Sequence, residues 1–107
     1  MTFRHAIDGF VMDAIAFDAD QLDGILAYLN EPESEWRRSS ERRAQRAEVL
    51  AALLRLVRSG SVSVWVPNPT GDDFVECGEG VWPDGPMGEL YFDLTGRGMV
   101  RYLNWDS

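Results

Sequence analysis

Ile7, Phe10, Val11, Ala14 and Ile15 recur at steps of three and four, which predicts an amphipathic helix over residues 7–15. Leu22, Ile25, Leu26 and Leu29 repeat the pattern in a second helix over 18–30, with Asp18 as N-cap and Gln21 three residues on, as in a capping box. Asn30, Glu31 and Pro32 end it, because a residue before proline avoids helical angles. A polar stretch holding Trp36 follows, with room for a short helical turn. Ser39 or Ser40 then caps a long third helix through Arg58, with Leu50, Leu53, Leu54 and Val57 inward and Ser59-Gly60 as its stop. The period now changes to two. Val62, Val64 and Val66 share one face of a strand closed by Pro67, and Trp65 falls on the other face. LYFDL at 90–94 predicts a second strand. Between them lies a connection rich in Gly, Pro and Asp, with a short strand around Phe74-Val75. Thr95 caps a last helix with Met99, Val100 and Leu103 inward.

Two stretches carry a resemblance. In EVLAALLRLVRSGSVSVWV an apolar helix ends in a Leu-x-x-x-Gly stop and runs at once into a valine-rich strand; in LYFDLTGRG a returning strand enters a helix through Leu-Thr-x-x-Gly. On these residues, and on the capped helix at 18–30, the chain resembles the winged helix-turn-helix group over roughly residues 18–104. The resemblance implies an α+β domain, single over 1–107: three helices, then a two- or three-stranded antiparallel wing sheet and a short C-terminal helix. It also implies sequence-specific DNA binding as one function, through the outer face of the third helix. Two features depart from the group: the connection at 67–89 is much longer than a hairpin loop, and the chain is acidic.

The composition fits that single domain: 107 residues, 45% of them apolar. No apolar stretch approaches the ~18 residues of a membrane span, and MTFRHAIDGF has neither the basic start nor the cleavage site of a signal peptide. Cys77 is the single cysteine, which excludes an internal disulfide and a cysteine zinc cluster. These features predict a cytoplasmic protein without a cofactor. The net charge is −8, yet residues 37–58 hold seven of the ten arginines against two carboxylates, and the rest of the chain holds three arginines against sixteen.

Which face those arginines occupy separates two functions. With Leu50 as the origin and about 100° per residue, Arg43 and Arg46 fall on the stripe of Leu53, Leu54 and Val57, and Arg42 lies at its edge. The opposite face reads Glu41, Ala44, Gln45, Glu48, Ala51, Ala52 and Arg55, a poor surface for phosphates. The arginines of the first turns are therefore expected to pair with carboxylates of the first two helices, Asp13, Asp18, Asp20, Asp23 and Glu31. On this view Arg43 matters for stability and Arg55 does not.

Catalytic chemistry finds no constellation. Cys77 and His5 lack a third group to orient a base, Asp72-Asp73 lacks the spaced oxygens a hard cation needs, and CGEGVWPDGPMG lacks the Lys-Ser/Thr of a phosphate loop. Trp82 and Trp105 are expected to cap the core. The sequence thus predicts a non-enzymatic protein–protein interaction domain with a regulatory or inhibitory, immunity-like role, docking on a basic protein. Trp36, Arg37 and Arg38 are the candidate contacts, since Trp and Arg anchor interfaces. The alternative is a DNA-binding regulator that uses Arg55 and Arg58. Nucleic acid is the disfavoured partner, and homodimerisation stays open.

Overall fold

The computed structural model describes residues 5–78, 82 and 89–105. It is an α+β arrangement of five helices and one four-stranded antiparallel sheet. In chain order the elements are α1 (Ala6–Ala14), β1 (Asp20–Gln21), α2 (Leu22–Asn30), α3 (Glu35–Ser40), α4 (Arg46–Arg58), β2 (Val62–Pro67), β3 (Phe74–Glu76), β4 (Tyr91–Leu94) and α5 (Gly96–Leu103). The sheet order is β1-β4-β2-β3. The return strand β4 thus inserts between β1 and β2, pairing Val62 with Leu94 and Val64 with Phe92 on one side and Asp20 with Phe92 on the other. The strands expected near 61–66 and 90–94 are indeed antiparallel partners.

Three helical boundaries differ from expectation. Residues 20–21 extend as β1 instead of opening a helix at Asp18, because they pair with Phe92 and Tyr91 of β4. The expected third helix starts later, at Arg46, and the Trp36 stretch forms a short helix of its own, α3. Ser34 caps α3, its hydroxyl accepting from the Arg37 N–H at 3.1 Å, and Glu41 leaves that helix with φ 60°. After this left-handed residue the chain restarts at Arg46, where the Glu48 carboxylate accepts from the Gln45 N–H at 2.8 Å. A continuous helix from Ser39 is excluded, and four helices rather than three precede β2.

The restart also sets which side of α4 faces inward. The buried stripe is Val49, Ala52, Leu53, Leu56 and Val57, while Leu50 and Leu54 are partly exposed. The stripe is turned by most of a ~100° step from the one centred on Leu50. Val49 and Leu56 line up with Leu53 at helical spacing, and α1 packs against this rotated side. The centre of the core is formed by Val11, Met12, Ile15, Leu22, Ile25 and Phe92.

The last helix corrects a further expectation. Thr95 caps α5 as expected, accepting from the Gly98 N–H at 3.0 Å. Val100 and Leu103, however, are 60% and 70% exposed. Gly98 is the buried position of the helix, so α5 meets the sheet through a residue without a side chain. Trp105 caps the core as expected, its ring edge-on to Phe10 at 4.9 Å between centroids, and Trp82 lies 5.6 Å from Phe92.

One carboxylate ties three helices together. Asp13 of α1 accepts from the Tyr28 hydroxyl of α2 at 2.7 Å and from the Tyr102 hydroxyl of α5 at 2.5 Å. The hydrogen bond to Asp13, with partial burial second, pushes each phenol from about 10 up to about 12. A folded value above the unfolded one gives stability that is complete below pH 10 and is lost as pH rises from 10 through 12. Spectrophotometric titration should show two tyrosines ionising late, together with alkaline unfolding. Asp13→Asn should bring both ionisations down towards pH 10; unchanged titration in that variant would refute the Asp13 cause.

Candidate protein-interaction face

The sheet has two unlike faces. Val62, Val64 and Phe92 face the helices and are buried. Alternation along the strands puts Ser63 and Trp65 of β2, Tyr91 and Asp93 of β4, and Phe74 and Glu76 of β3 on the outer face. Trp65 stands opposite Tyr91 on one side and Glu76 on the other. The Phe74 and Tyr91 rings meet edge to face, 4.7 Å between centroids. The Trp65 indole N–H donates to the Ser63 hydroxyl at 2.9 Å, and that hydroxyl donates to the Asp93 carbonyl at 3.3 Å. This relay holds the indole along its strand, where Trp65 is partly exposed.

Between these side chains and the segment entering β1 lies a cleft of about 520 Å³. Three aromatic rings, Trp65, Phe74 and Tyr91, and three carboxylates, Asp18, Asp73 and Asp93, line it together with Ala19. None of the described lining residues is basic. Asp73 is positioned by the 68–73 turn: Asn68 donates its backbone N–H to the Asp73 carbonyl at 2.9 Å and its side-chain amide to the Asp73 carboxylate at 3.1 Å. A lining that combines aromatic rings with carboxylates suits an organic cation.

The arginine cluster goes elsewhere. Arg42 forks onto Glu48 at 2.6 and 3.0 Å, with its guanidinium 4.9 Å from the centre of the Trp36 ring. Arg42 thereby holds the Glu48 carboxyl below the usual range. Its partner lies on α4, not on the first two helices as expected. Arg46 does reach α2, pairing with Asp23 in an exposed bridge. Arg43 is exposed and has no ion pair among the described residues, because it sits in the 41–45 connection and not on a helix face. The shielded pair is one that an ideal continuous helix argues against: Arg55 grips Asp8 of α1 at 2.6 and 3.2 Å, and Asp8 is 6% exposed. Turning the α4 stripe towards Ala52 brings the flanking Arg55 to α1.

The other sequence candidates disperse. Trp36 is 5% exposed and edge-on to Phe10 at 5.3 Å, a core side chain and not a surface anchor. Its indole N–H has no hydrogen-bond partner among the described residues. Arg37 donates to the Asn30 carbonyl at 3.2 Å, and Arg38 is exposed beside Glu35 at 3.9 Å. Arg58 is exposed, with Leu50, Leu54 and Trp82 around a cavity of about 270 Å³ beside α4. Cys77 lines a separate cavity of about 300 Å³ with Glu76 and Arg97, while His5 is exposed ahead of α1. Among the described residues no group of three or more His, Cys, Asp or Glu is placed to hold a metal ion, and no helix is long and apolar enough to cross a membrane. The glycine-rich CGEGVWPDGPMG segment lies mostly outside the described residues.

Of the cleft residues, the sequence places Trp65 on the strand face away from Val62, Val64 and Val66, and puts Asp72-Asp73 in the connection at 67–89. Tyr91 and Asp93 are legible by their alternation with Leu90, Phe92 and Leu94. Phe74, Asp73 and Asp18 join them only through the β2–β3 register and the position of β1. Comparison with protein-family models, with curated proteins and with solved structures finds no match to this chain.

Proposed function

We propose that the protein is a non-enzymatic interaction domain of winged-helix type that docks through the outer face of its sheet on a basic protein, in a regulatory or inhibitory role. The observation that carries this reading is the cleft in which Trp65, Phe74 and Tyr91 stand among Asp18, Asp73 and Asp93 with no described basic neighbour. Aromatic side chains give large contact area at low entropic cost. A single sign of charge speeds encounter with an opposite partner and repels wrong ones. The winged-helix part of the reading is supported by α4 running directly into β2 and by β4 returning beside it into α5.

Where the positive charge goes supports the same choice over DNA. Arg55 is neutralised by Asp8, Arg42 by Glu48 and Arg46 by Asp23, so of the two proposed DNA contacts only Arg58 keeps a free charge among the described residues. Phosphate contacts supply almost all non-specific affinity, and Arg58 with the exposed Arg38 and Arg43 supplies little on a molecule of net charge −8. The expected result is no shift of a random duplex at micromolar protein and ~150 mM salt, where charge is screened beyond ~8 Å. A labelled cationic peptide should bind instead, weakening as salt rises. Salt-sensitive duplex binding lost in Arg58→Ala would replace this reading with the DNA-binding one.

A further inference from the structure

Resting on that reading, we infer that the cleft takes the side chain of one arginine from the basic partner, in preference to lysine. The aromatic rings are neighbours: Phe74 and Tyr91 in edge contact, with Trp65 across the strand pair from Tyr91. A guanidinium is planar, weakly hydrated and stacks on such rings, whereas an ammonium is a compact and strongly hydrated point charge. The carboxylates come from three separate segments: Asp18 before β1, Asp73 before β3 and Asp93 within β4. A five-donor fork can reach more than one of them at once, and each such charge-assisted bond is among the stronger kinds. Asp93 and Asp18 enter no ion pair among the described residues, so nothing described in the fold already neutralises them. The volume, about 520 Å³, exceeds one side chain and leaves room for its flanking backbone, as expected for a residue presented by a peptide or loop.

The protein contrasts this cleft with its own arginines. Arg42 sits over the Trp36 ring and forks onto Glu48, an aromatic face combined with a carboxylate. The cleft offers the same two components with no arginine of this chain among its described lining.

The test is an NMR titration of isotope-labelled protein with two peptides that differ only in carrying arginine or lysine at one central position among otherwise identical cationic residues. The expected result is a set of shifts centred on the Trp65 indole N–H and the amides of Tyr91 and Asp93, with the arginine peptide bound roughly fivefold tighter. Asp93→Asn, which keeps size and shape, should weaken the arginine peptide about tenfold. Phe74→Ala, at an exposed edge-strand position, should reduce the preference for arginine while the fold, read from the remaining spectrum, persists. Equal affinity for both peptides, or shifts centred away from Trp65, would overturn the arginine clasp and leave the basic-partner reading standing. Absence of binding by either peptide would overturn both.

Discussion

Gly98→Ala should destabilise the protein by about 3 kcal/mol or more, although alanine is the better helix former. In an exposed helix the exchange gains close to 1 kcal/mol from propensity. Here a Cβ at residue 98 would overlap the carbonyl oxygen of Ser61, approach its carbon to 2.9 Å and meet Leu94 Cδ2 at 3.1 Å. The obstacle is backbone, and that backbone is held from several sides. The Ser61 carbonyl accepts from the Thr95 N–H at 3.1 Å, the Ser61 N–H donates to the Leu56 carbonyl at 2.9 Å, and the Thr95 hydroxyl donates to the Gly60 carbonyl at 2.6 Å. Relief would require α5 to lift away from the junction of α4 and β2. At Gly96, two residues earlier, a methyl group would meet nothing within 4 Å, so Gly96→Ala should be neutral or stabilising by up to ~1 kcal/mol. Thermal unfolding checks the pair: a fall of roughly 10 °C or more for Gly98→Ala, at about 4 °C per kcal/mol for this size, against no fall for Gly96→Ala. A harmless Gly98→Ala would mean that α5 does not pack as described.

That junction shows where local sequence signals end. Thr95 as a cap, Gly60 as a stop and the valine alternation of β2 are local, and each forms as the pattern requires. The inward side of α5 is not local. Its periodicity favours Met99, Val100 and Leu103, but the sheet comes too close for large side chains and the helix turns Gly98 to it. The same limit applies to β1. Two residues carry no periodic signal, and Asp20-Gln21 are extended only because β4 offers them partners. The break at Glu41 that delays the third helix to Arg46 rests on one left-handed residue that is neither glycine nor asparagine. Composition therefore misleads where tertiary pairing decides.

The cleft follows the same rule. Trp65, Tyr91 and Asp93 share a face by period two, which the sequence states openly. Asp18 and Asp73 reach that face from segments with the pattern of a helix cap and a loop tip. Conversely, Trp36 with its neighbouring arginines has the composition of an interface and the position of a core residue. Clustering in sequence does not tell which members of the cluster face the core and which face solvent.

Arg55→Ala should cost about 2 kcal/mol and Arg43→Ala almost nothing, the reverse of what the positions of these arginines on an ideal helix suggest. Removing one partner of a shielded pair leaves the other charge unpaired, which costs ~3–5 kcal/mol for a fully buried pair. Arg55 is about a third exposed and Asp8 nearly buried, so water can reach the vacated side and the expected cost is lower. Exposed bridges set the other end of the scale at ~0–1 kcal/mol, where Arg46 with Asp23 belongs. The two single variants should also differ. Asp8→Ala leaves a guanidinium that can turn to solvent, about 1 kcal/mol, whereas Arg55→Ala leaves a carboxylate between α1 and α4. In the double variant neither charge is stranded, so its cost should be smaller than the sum of the singles by roughly 1 kcal/mol or more. Urea unfolding of the four proteins in this cycle, with Arg43→Ala as control, measures the coupling directly. Additive costs would show that the pair contributes nothing beyond its parts, and an Arg43→Ala cost equal to that of Arg55→Ala would show that α4 meets α1 in a different register.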